Sequence, residues 1–128
     1  MQSEHKRIVS GGVDLAVYDE GEGPGILLIH GFASSAATNW YEPGWVRFLT
    51  EAGYRVVSFD NRGHGRSAKL YAPELYTAPA MARDAAAIIE QLGQGPLHVM
   101  GYSMGARISA FLLLQSPQCV RISIDFRG

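Results

Sequence analysis

The sequence predicts an α/β protein with a doubly wound, mostly parallel sheet, and three observations support this fold class. Short, predominantly apolar runs such as residues 26–29 (ILLI) and 97–100 (LHVM) are typical of strands covered on both faces. Segments with helical periodicity alternate with these runs, which implies parallel pairing through helical crossovers. Polar residues capable of chemistry follow three of the strands, at the end where ligand sites of such sheets lie.

The first part of the chain predicts a hairpin, a buried strand and a helix. Residues 8–9 and 15–18 flank the turn signal Gly11-Gly12, which indicates two antiparallel strands at the edge of the sheet. Residues 26–29 form the next strand, and a polar loop at 34–39 follows it. The first helix is predicted from apolar residues at helical spacing that end at a glycine cap: Trp45, Phe48, Leu49, Ala52 and Gly53.

The second part predicts three further strands and two helices. Residues 55–60 form a strand that leads into the glycine-rich turn 61–67. Thr77 is a plausible helix N-cap, and Gly93 closes the helix that it begins. The apolar face of that helix contains Met81, Ala85, Ile88 and Leu92. The remaining elements are a strand at 97–100, a helix at 106–115 and a strand at 120–126.

Length and composition fit a single domain over residues 1–128 and exclude several classes of protein. A hydrophobic fraction of 47% indicates a globular chain, and a net charge of −1 leaves no basic excess for nucleic acid or an anionic membrane. No apolar run approaches the ~20 residues of a membrane helix. The lone Cys119 is expected to be a buried thiol. We therefore expect a cytoplasmic protein with no nucleic-acid or membrane partner.

Residues 101–105 (GYSMG) carry the strongest chemical signal because they fit the pattern G-x-S-x-G. A serine on a tight turn between a strand and a helix is held with its hydroxyl exposed, and the flanking glycines avoid clashes where the turn closes. The N-terminus of the following helix favours a developing negative charge. The alternative is a Gly-Ser turn without chemistry, but a strand enters the motif and a helix leaves it, as a nucleophile requires.

His30-Gly31-Phe32 follows a buried strand and supplies the second half of the predicted site. Acyl transfer needs two backbone N–H groups that stabilise the oxyanion. One is expected from Met104, the residue after the serine, and the other from the loop that contains Phe32.

Together these motifs resemble those of the α/β-hydrolase superfamily, of the esterase and peptidase type with an HGF oxyanion motif. The matching pieces are residues 26–32 (ILLIHGF), 60–67 (DNRGHGRS) and 100–106 (MGYSMGA). The resemblance implies that Ser103 is the nucleophile and that Phe32 and Met104 donate the oxyanion-hole N–H groups. It also implies hydrolysis of a small ester-like molecule through an acyl-Ser103 intermediate, without a metal or an organic cofactor.

The sequence lacks an obvious base to activate Ser103, since the family order is serine, then an acid, then histidine, and no histidine follows Ser103. His98 lies five residues earlier on the same strand, about 16 Å away at ~3.3 Å per residue. His30 and His64 lie at the correct edge of the sheet, but the resemblance assigns both to turns. Asp125 is the only later carboxylate, and it is either the acid of a variant site or a solvated residue at a strand end.

The predicted domain is therefore an α/β-hydrolase fold truncated after the sixth strand, without the cap and the C-terminal strands. Its last strand is expected to form an exposed apolar edge through which a second chain could pair. The alternative function is a non-catalytic remnant of the fold that serves as a binding or dimerising module. A dinucleotide-binding domain is excluded, because no G-x-G-x-x-G opens a helix after a strand. Trp40 and Trp45 either line a pocket or, as we favour, pack the first helix.

Overall fold

The computed structural model describes residues 5–126 as six strands, three α-helices and three short helical turns. The strands are β1 (Lys6–Ser10), β2 (Val13–Glu20), β3 (Gly25–Ile29), β4 (Arg55–Phe59), β5 (Leu97–Tyr102) and β6 (Val120–Phe126). The α-helices are α1 (Trp45–Glu51), α2 (Ala78–Leu92) and α3 (Met104–Gln115). A π-helical turn spans Ala37–Tyr41, and 3₁₀ turns span Pro73–Tyr76 and Pro117–Cys119.

The six strands form one mixed sheet in the order β1-β2-β4-β3-β5-β6. The pairs β1–β2 and β2–β4 are antiparallel, and the other three pairs are parallel. This confirms the predicted edge hairpin and the parallel part of the sheet. Because β3, β4 and β5 run in the same direction, the loops that follow them meet at one edge of the sheet.

Helices cover both faces of the sheet, as expected of a doubly wound fold. Adjacent residues of a strand point to opposite faces, so Leu27 and Leu28 belong to two different apolar clusters. The larger cluster joins the sheet to α2 and α3, and it includes Leu15, Phe59, Ile88, Ile108 and Cys119. The smaller one joins the sheet to α1 and includes Tyr18, Trp40, Val46, Val56 and Met100. Cys119 is buried as predicted, and burial raises the pKa of its thiol.

Several element boundaries differ from the sequence-based expectation. Part of the predicted polar loop forms the π-helical turn, because this turn carries the large Trp40 side chain into the smaller cluster. Helix α3 begins at Met104, two residues earlier than predicted, since Ser103 alone makes the turn from strand to helix. The Thr77 cap is confirmed, with its hydroxyl oxygen accepting from the Ala80 N–H at 3.3 Å.

Among the described strands, β6 pairs with β5 alone, and three of its apolar side chains are exposed. Ile122, Ile124 and Phe126 are each between 42% and 56% exposed. Within residues 5–126, no helix combines the length and the apolar character needed to cross a lipid bilayer.

Candidate active site

Ser103 occupies a strained turn between β5 and α3. Its backbone has φ 56° and ψ −113°, and the side chain is exposed at the N-terminus of the twelve-residue α3. A positive φ is uncommon for a residue with a Cβ and persists only where the surroundings enforce it. Here the Ser103 amide donates to the Phe126 carbonyl at 2.7 Å, and the Ser103 carbonyl accepts from the Ala106 N–H at 3.0 Å. The neighbouring strand β6 and the helix α3 therefore hold the serine in place.

The two glycines of the motif are required by the close approach of α3 to the sheet. A Cβ on Gly105 would overlap the carbonyl group of Ile29. A Cβ on Gly101 would overlap the carbonyl of Gly105 and lie 2.6 Å from the hydroxyl of Ser109. The four-residue spacing of the glycines thus reflects the crossing of one helical turn over β3 and β5.

The loop after β3 brings the predicted oxyanion donors beside the serine. A Cβ built on Gly31 would lie 3.5 Å from the Ser103 Cβ, so the loop packs directly against the turn. The Gly31 amide donates to Asn39 Oδ1 at 2.8 Å. Within the described residues, the amides of Phe32 and Met104 donate to no protein acceptor, and both residues line one cavity. An oxyanion hole requires two N–H groups without a protein acceptor, so the predicted assignment of these two amides stays open to test.

His30 is completely buried and fully engaged in structural hydrogen bonds. Its Nδ1 donates to the Gly31 carbonyl at 2.7 Å, and its Nε2 accepts from the Asn61 amide at 2.9 Å. Burial lowers the pKa of His30 to about 4, so the ring is neutral near pH 7. With both nitrogens in use, His30 links the loops after β3 and β4 and offers no lone pair to Ser103.

His64 is held in a similar way in the turn after β4. Its Nδ1 donates to the Arg62 carbonyl at 2.9 Å, and its Nε2 accepts from the Ala33 amide at 3.1 Å. Its ring lies 5.1 Å from that of His30 and 6.0 Å from that of Phe32, measured between centroids. His64 therefore binds the loop that contains Phe32, and within the described residues it forms no hydrogen bond with Ser103.

Buried charges brace the turn after β4. The Arg62 guanidinium donates to both oxygens of Asp84 on α2 at 2.7 Å, and it also donates to the Leu75 carbonyl at 2.9 Å. Asp60 accepts from the amides of Ala36 and Arg66, each at 2.9 Å. These contacts agree with a structural role for this turn.

Asp125, the candidate acid, lies near the end of β6 in register with Gly101. It is exposed, and its Oδ1 accepts from the Ser123 hydroxyl at 3.3 Å. Between residues 5 and 126 its carboxylate forms no hydrogen bond or ion pair with a histidine. Its role as an acid stays a prediction.

Two cavities are lined by residues next to Ser103 in the chain. One of about 520 Å³ is lined by Phe32, His64, Tyr76, Met81 and Met104, among others. The other, of about 450 Å³, is lined by Asn39, Trp40, Trp45, Tyr102 and Phe126. Met104 and Tyr102, the residues on either side of Ser103, each line one of them. The two chain neighbours of Ser103 therefore line two different cavities.

The structure separates the roles of the two tryptophans. Trp40 is buried and packs as expected, whereas Trp45 is 37% exposed on α1 and lines the second cavity. The Trp45 ring lies 6.3 Å from that of Phe126 on β6. The expectation that both are packing residues is therefore wrong for Trp45, because its helical position faces the gap between α1 and β6.

Sequence reasoning missed two positioning residues, Asn39 and Asp84. Asp84 carries a signal in hindsight, since a carboxylate among the alanines of a buried helix face needs a cationic partner. Asn39 carries no such signal, because a polar residue in a polar loop is unremarkable.

Comparison with known proteins identifies the family. A family model described as the alpha/beta hydrolase fold matches residues 24–121. The chain is 30% identical over 125 residues to epoxide hydrolase 2 of Siraitia grosvenorii, and the alignment covers 95% of the chain and 38% of that protein. It is 36% identical over 124 residues to 2-(acetamidomethylene)succinate hydrolase of Mesorhizobium japonicum, and this alignment covers 94% of the chain and 42% of that protein.

Solved structures agree with this result. The crystal structure of an epoxide hydrolase from Vigna radiata superposes with a TM-score of 0.86 at 29% identity, over 95% of this chain and 37% of that one. The chain thus spans about two fifths of the length of these relatives. With three quarters of its residues matched by the family model and its sheet reproduced in a solved hydrolase, the chain belongs to the α/β-hydrolase fold family.

Proposed function

We propose that this chain carries the nucleophile and the oxyanion hole of a serine hydrolase that acts on carboxylic esters or related acyl compounds. The supporting observation is the exposed Ser103 on its strained turn, next to the unpaired amides of Phe32 and Met104. Its Oγ attacks the carbonyl carbon and its proton passes to a base, while the two amides stabilise the oxyanion. The alcohol leaves with that proton, and water then hydrolyses acyl-Ser103 to the free acid.

The chemistry of a serine nucleophile selects acyl substrates over epoxides, although several relatives are named epoxide hydrolases. Serine attack on an epoxide carbon would form an ether, which water does not cleave, so the enzyme could not turn over. Attack on an acyl carbonyl forms an ester, which water does cleave. The acetamido group in the named substrate of the Mesorhizobium japonicum relative is an acyl amide, which fits this class.

We further propose that the base lies outside these 128 residues, in a further segment or another chain. His30 and His64 lie at the correct edge of the sheet, but both nitrogens of each ring are engaged elsewhere. Fluorophosphonates label serines that a base has already activated. We therefore expect neither labelling of Ser103 nor ester turnover above a Ser103→Ala control for this chain alone.

Added imidazole can supply the missing base and so test the nucleophile directly. The folded chain is incubated with p-nitrophenyl acetate in imidazole buffer, digested, and its acetylated serines are quantified by mass spectrometry. We expect Ser103 to be acetylated at least about tenfold faster in the folded chain than in urea, because the oxyanion hole exists only when folded. Ser116, at the other end of α3, is the matched internal control and should not show this difference.

The two assays separate the parts of the proposal. Equal acetylation of Ser103 in the folded and unfolded chain would refute the nucleophile assignment and favour the alternative, a non-catalytic binding module. Fluorophosphonate labelling that Ser103→Ala abolishes would support the nucleophile but refute an external base. Consumption of an epoxide such as styrene oxide by the chain would contradict the substrate class.

A further inference from the structure

We infer that His64 is a positioning residue, whose neutral imidazole holds the loop that presents the Phe32 amide to the substrate. The role of His64 in presenting the Phe32 amide rests on the proposed function, whereas the hydrogen bond from the loop to His64 does not. Nε2 of His64 accepts the Ala33 N–H at 3.1 Å, and Ala33 directly follows Phe32. The hydrogen bond thus fixes the peptide next to one proposed oxyanion donor.

Ala33 needs such a restraint because its backbone is strained. Its φ is 59°, and Ala33 and Ser103 are the two residues other than glycine with a positive φ in the described chain. Residues with a Cβ rarely adopt this conformation, and it persists only where neighbouring groups enforce it. Ala33 is exposed, so burial does not enforce it. The hydrogen bond to His64 is the direct restraint on its amide.

The environment of His64 fixes which nitrogen accepts. Nδ1 faces the Arg62 carbonyl at 2.9 Å, an acceptor, so in the neutral ring the proton resides on Nδ1 and Nε2 has the free lone pair. The carbonyl is held in place because the Arg62 side chain is clamped by Asp84. Protonation of His64 would place a second N–H on Nε2, opposite the Ala33 N–H. Two donors would then face each other, and the restraint would be lost.

Four titratable or charged residues lie around His64, and each has its own partners or environment. His30 faces it from the end of β3 and stays neutral, because burial lowers the pKa of His30 to about 4. Asp60, at the end of β4, already accepts two backbone N–H groups. Arg62 is paired with Asp84 on α2, and Tyr76, which lines the same cavity, donates to the Leu70 carbonyl at 2.6 Å.

This arrangement gives a residue that never touches the substrate a role in placing the Phe32 N–H. If His64 stopped accepting the Ala33 N–H, the turn would keep, within the described residues, only the hydrogen bond from the Ser34 N–H to the Gly31 carbonyl at 3.3 Å. The strained peptide at Ala33 would then be less restrained, and the Phe32 N–H would be less well positioned.

Nuclear magnetic resonance of the ¹⁵N-labelled chain tests the inference without requiring activity. The ring of His64 and the amides of Phe32 and Ala33 are followed together as the pH is lowered. We expect both amide signals to shift with the same midpoint as the His64 ring. His98→Gln removes an imidazole far from the loop and should leave this behaviour unchanged.

Two variants of His64 separate positioning from general structural support. His64→Ala should speed hydrogen exchange of the Ala33 amide about tenfold, as expected for the loss of one hydrogen bond. His64→Gln presents an acceptor oxygen close to the position of Nε2, and its side-chain amide does not take up a proton as an imidazole does. It should restore the slow exchange and abolish the pH dependence of the Phe32 and Ala33 signals.

Amide signals that ignore the titration of His64, or unchanged exchange in His64→Ala, would overturn the inference. If His64→Ala fails to fold, the wild-type titration and the His64→Gln variant still decide it. Failure of selective Ser103 acetylation would refute the proposed function alone, since the loop contact is measured independently.

Discussion

Gly105→Ala should destabilise the fold more than the addition of a single methyl group suggests. The new Cβ would overlap the carbonyl group of Ile29 and lie 2.9 Å from the carbonyl oxygen of His30. Both obstacles are backbone atoms of the central strand region, which cannot rotate away as a side chain would. Overpacking of this kind costs about 1–3 kcal/mol, and we take the upper end, about 3 kcal/mol. Alanine recovers about 0.5–1 kcal/mol of helix propensity, which leaves a net loss of about 2 kcal/mol.

Urea unfolding followed by circular dichroism measures this loss as a change in the free energy of unfolding. Gly53→Ala is the matched control, because Gly53 has a φ of 97° but no atom within 4 Å of its Cβ position. Its cost of about 1 kcal/mol would come from backbone strain alone. A free energy of unfolding for Gly105→Ala within about 0.5 kcal/mol of wild type would refute our account of the glycine spacing.

Three further predictions concern buried charge, a buried histidine and the free edge of the sheet. Folding lowers the pKa of His30 from 6.5 to about 4, so the unfolded chain binds more protons than the folded chain between these pH values. The free energy of unfolding should therefore fall by about 3 kcal/mol as the pH is lowered from 6.5 to 4. His30→Gln should flatten that part of the urea-measured profile, and a slope equal to wild type would contradict the assignment. Asp84→Ala leaves Arg62 buried without its partner and should cost about 3–5 kcal/mol in urea unfolding, whereas replacing both by apolar residues of similar volume should cost much less. We also propose that the chain self-associates through β6, because its outer edge pairs with no strand of residues 5–126 and its Ile124 is half exposed. Sedimentation velocity should show Ile124→Lys shifted to monomer and the surface control Leu114→Lys unchanged. A monomeric wild type would disprove this.

Much of the fold could be predicted because it follows from local patterns. The apolar run at β3 and the helical spacing in α2 report which side of each element is buried, and both elements form where expected. The turn at Ser103 was also predictable, since glycines at positions 101 and 105 indicate a close crossing of strand and helix. The π-helical turn around Trp40 was not, because a single large apolar residue in a polar loop does not specify a helical form.

The position of the candidate site was predictable from the sequence, but its hydrogen-bond network was not. The order of motifs places His30, His64 and Ser103 at one edge of the sheet, yet periodicity cannot show where the nitrogen atoms of a ring point. His30 meets Asn61 across 31 residues, and Ala33 meets His64 across the same separation. Such contacts depend on how far each loop reaches once the parallel strands have brought them together.

The sequence by itself determined the fold class, the family and the serine on its turn, because these depend on residues within a few positions of one another. Only the tertiary structure decided which groups the two histidine rings bind and that Trp45 faces a cavity. The physical reason is that local patterns determine which residues are buried, whereas the hydrogen-bond partners of a polar group depend on distant segments. The backbone N–H groups of Asn61 and Ala33 reach Nε2 of His30 and of His64 only after β3 and β4 lie side by side.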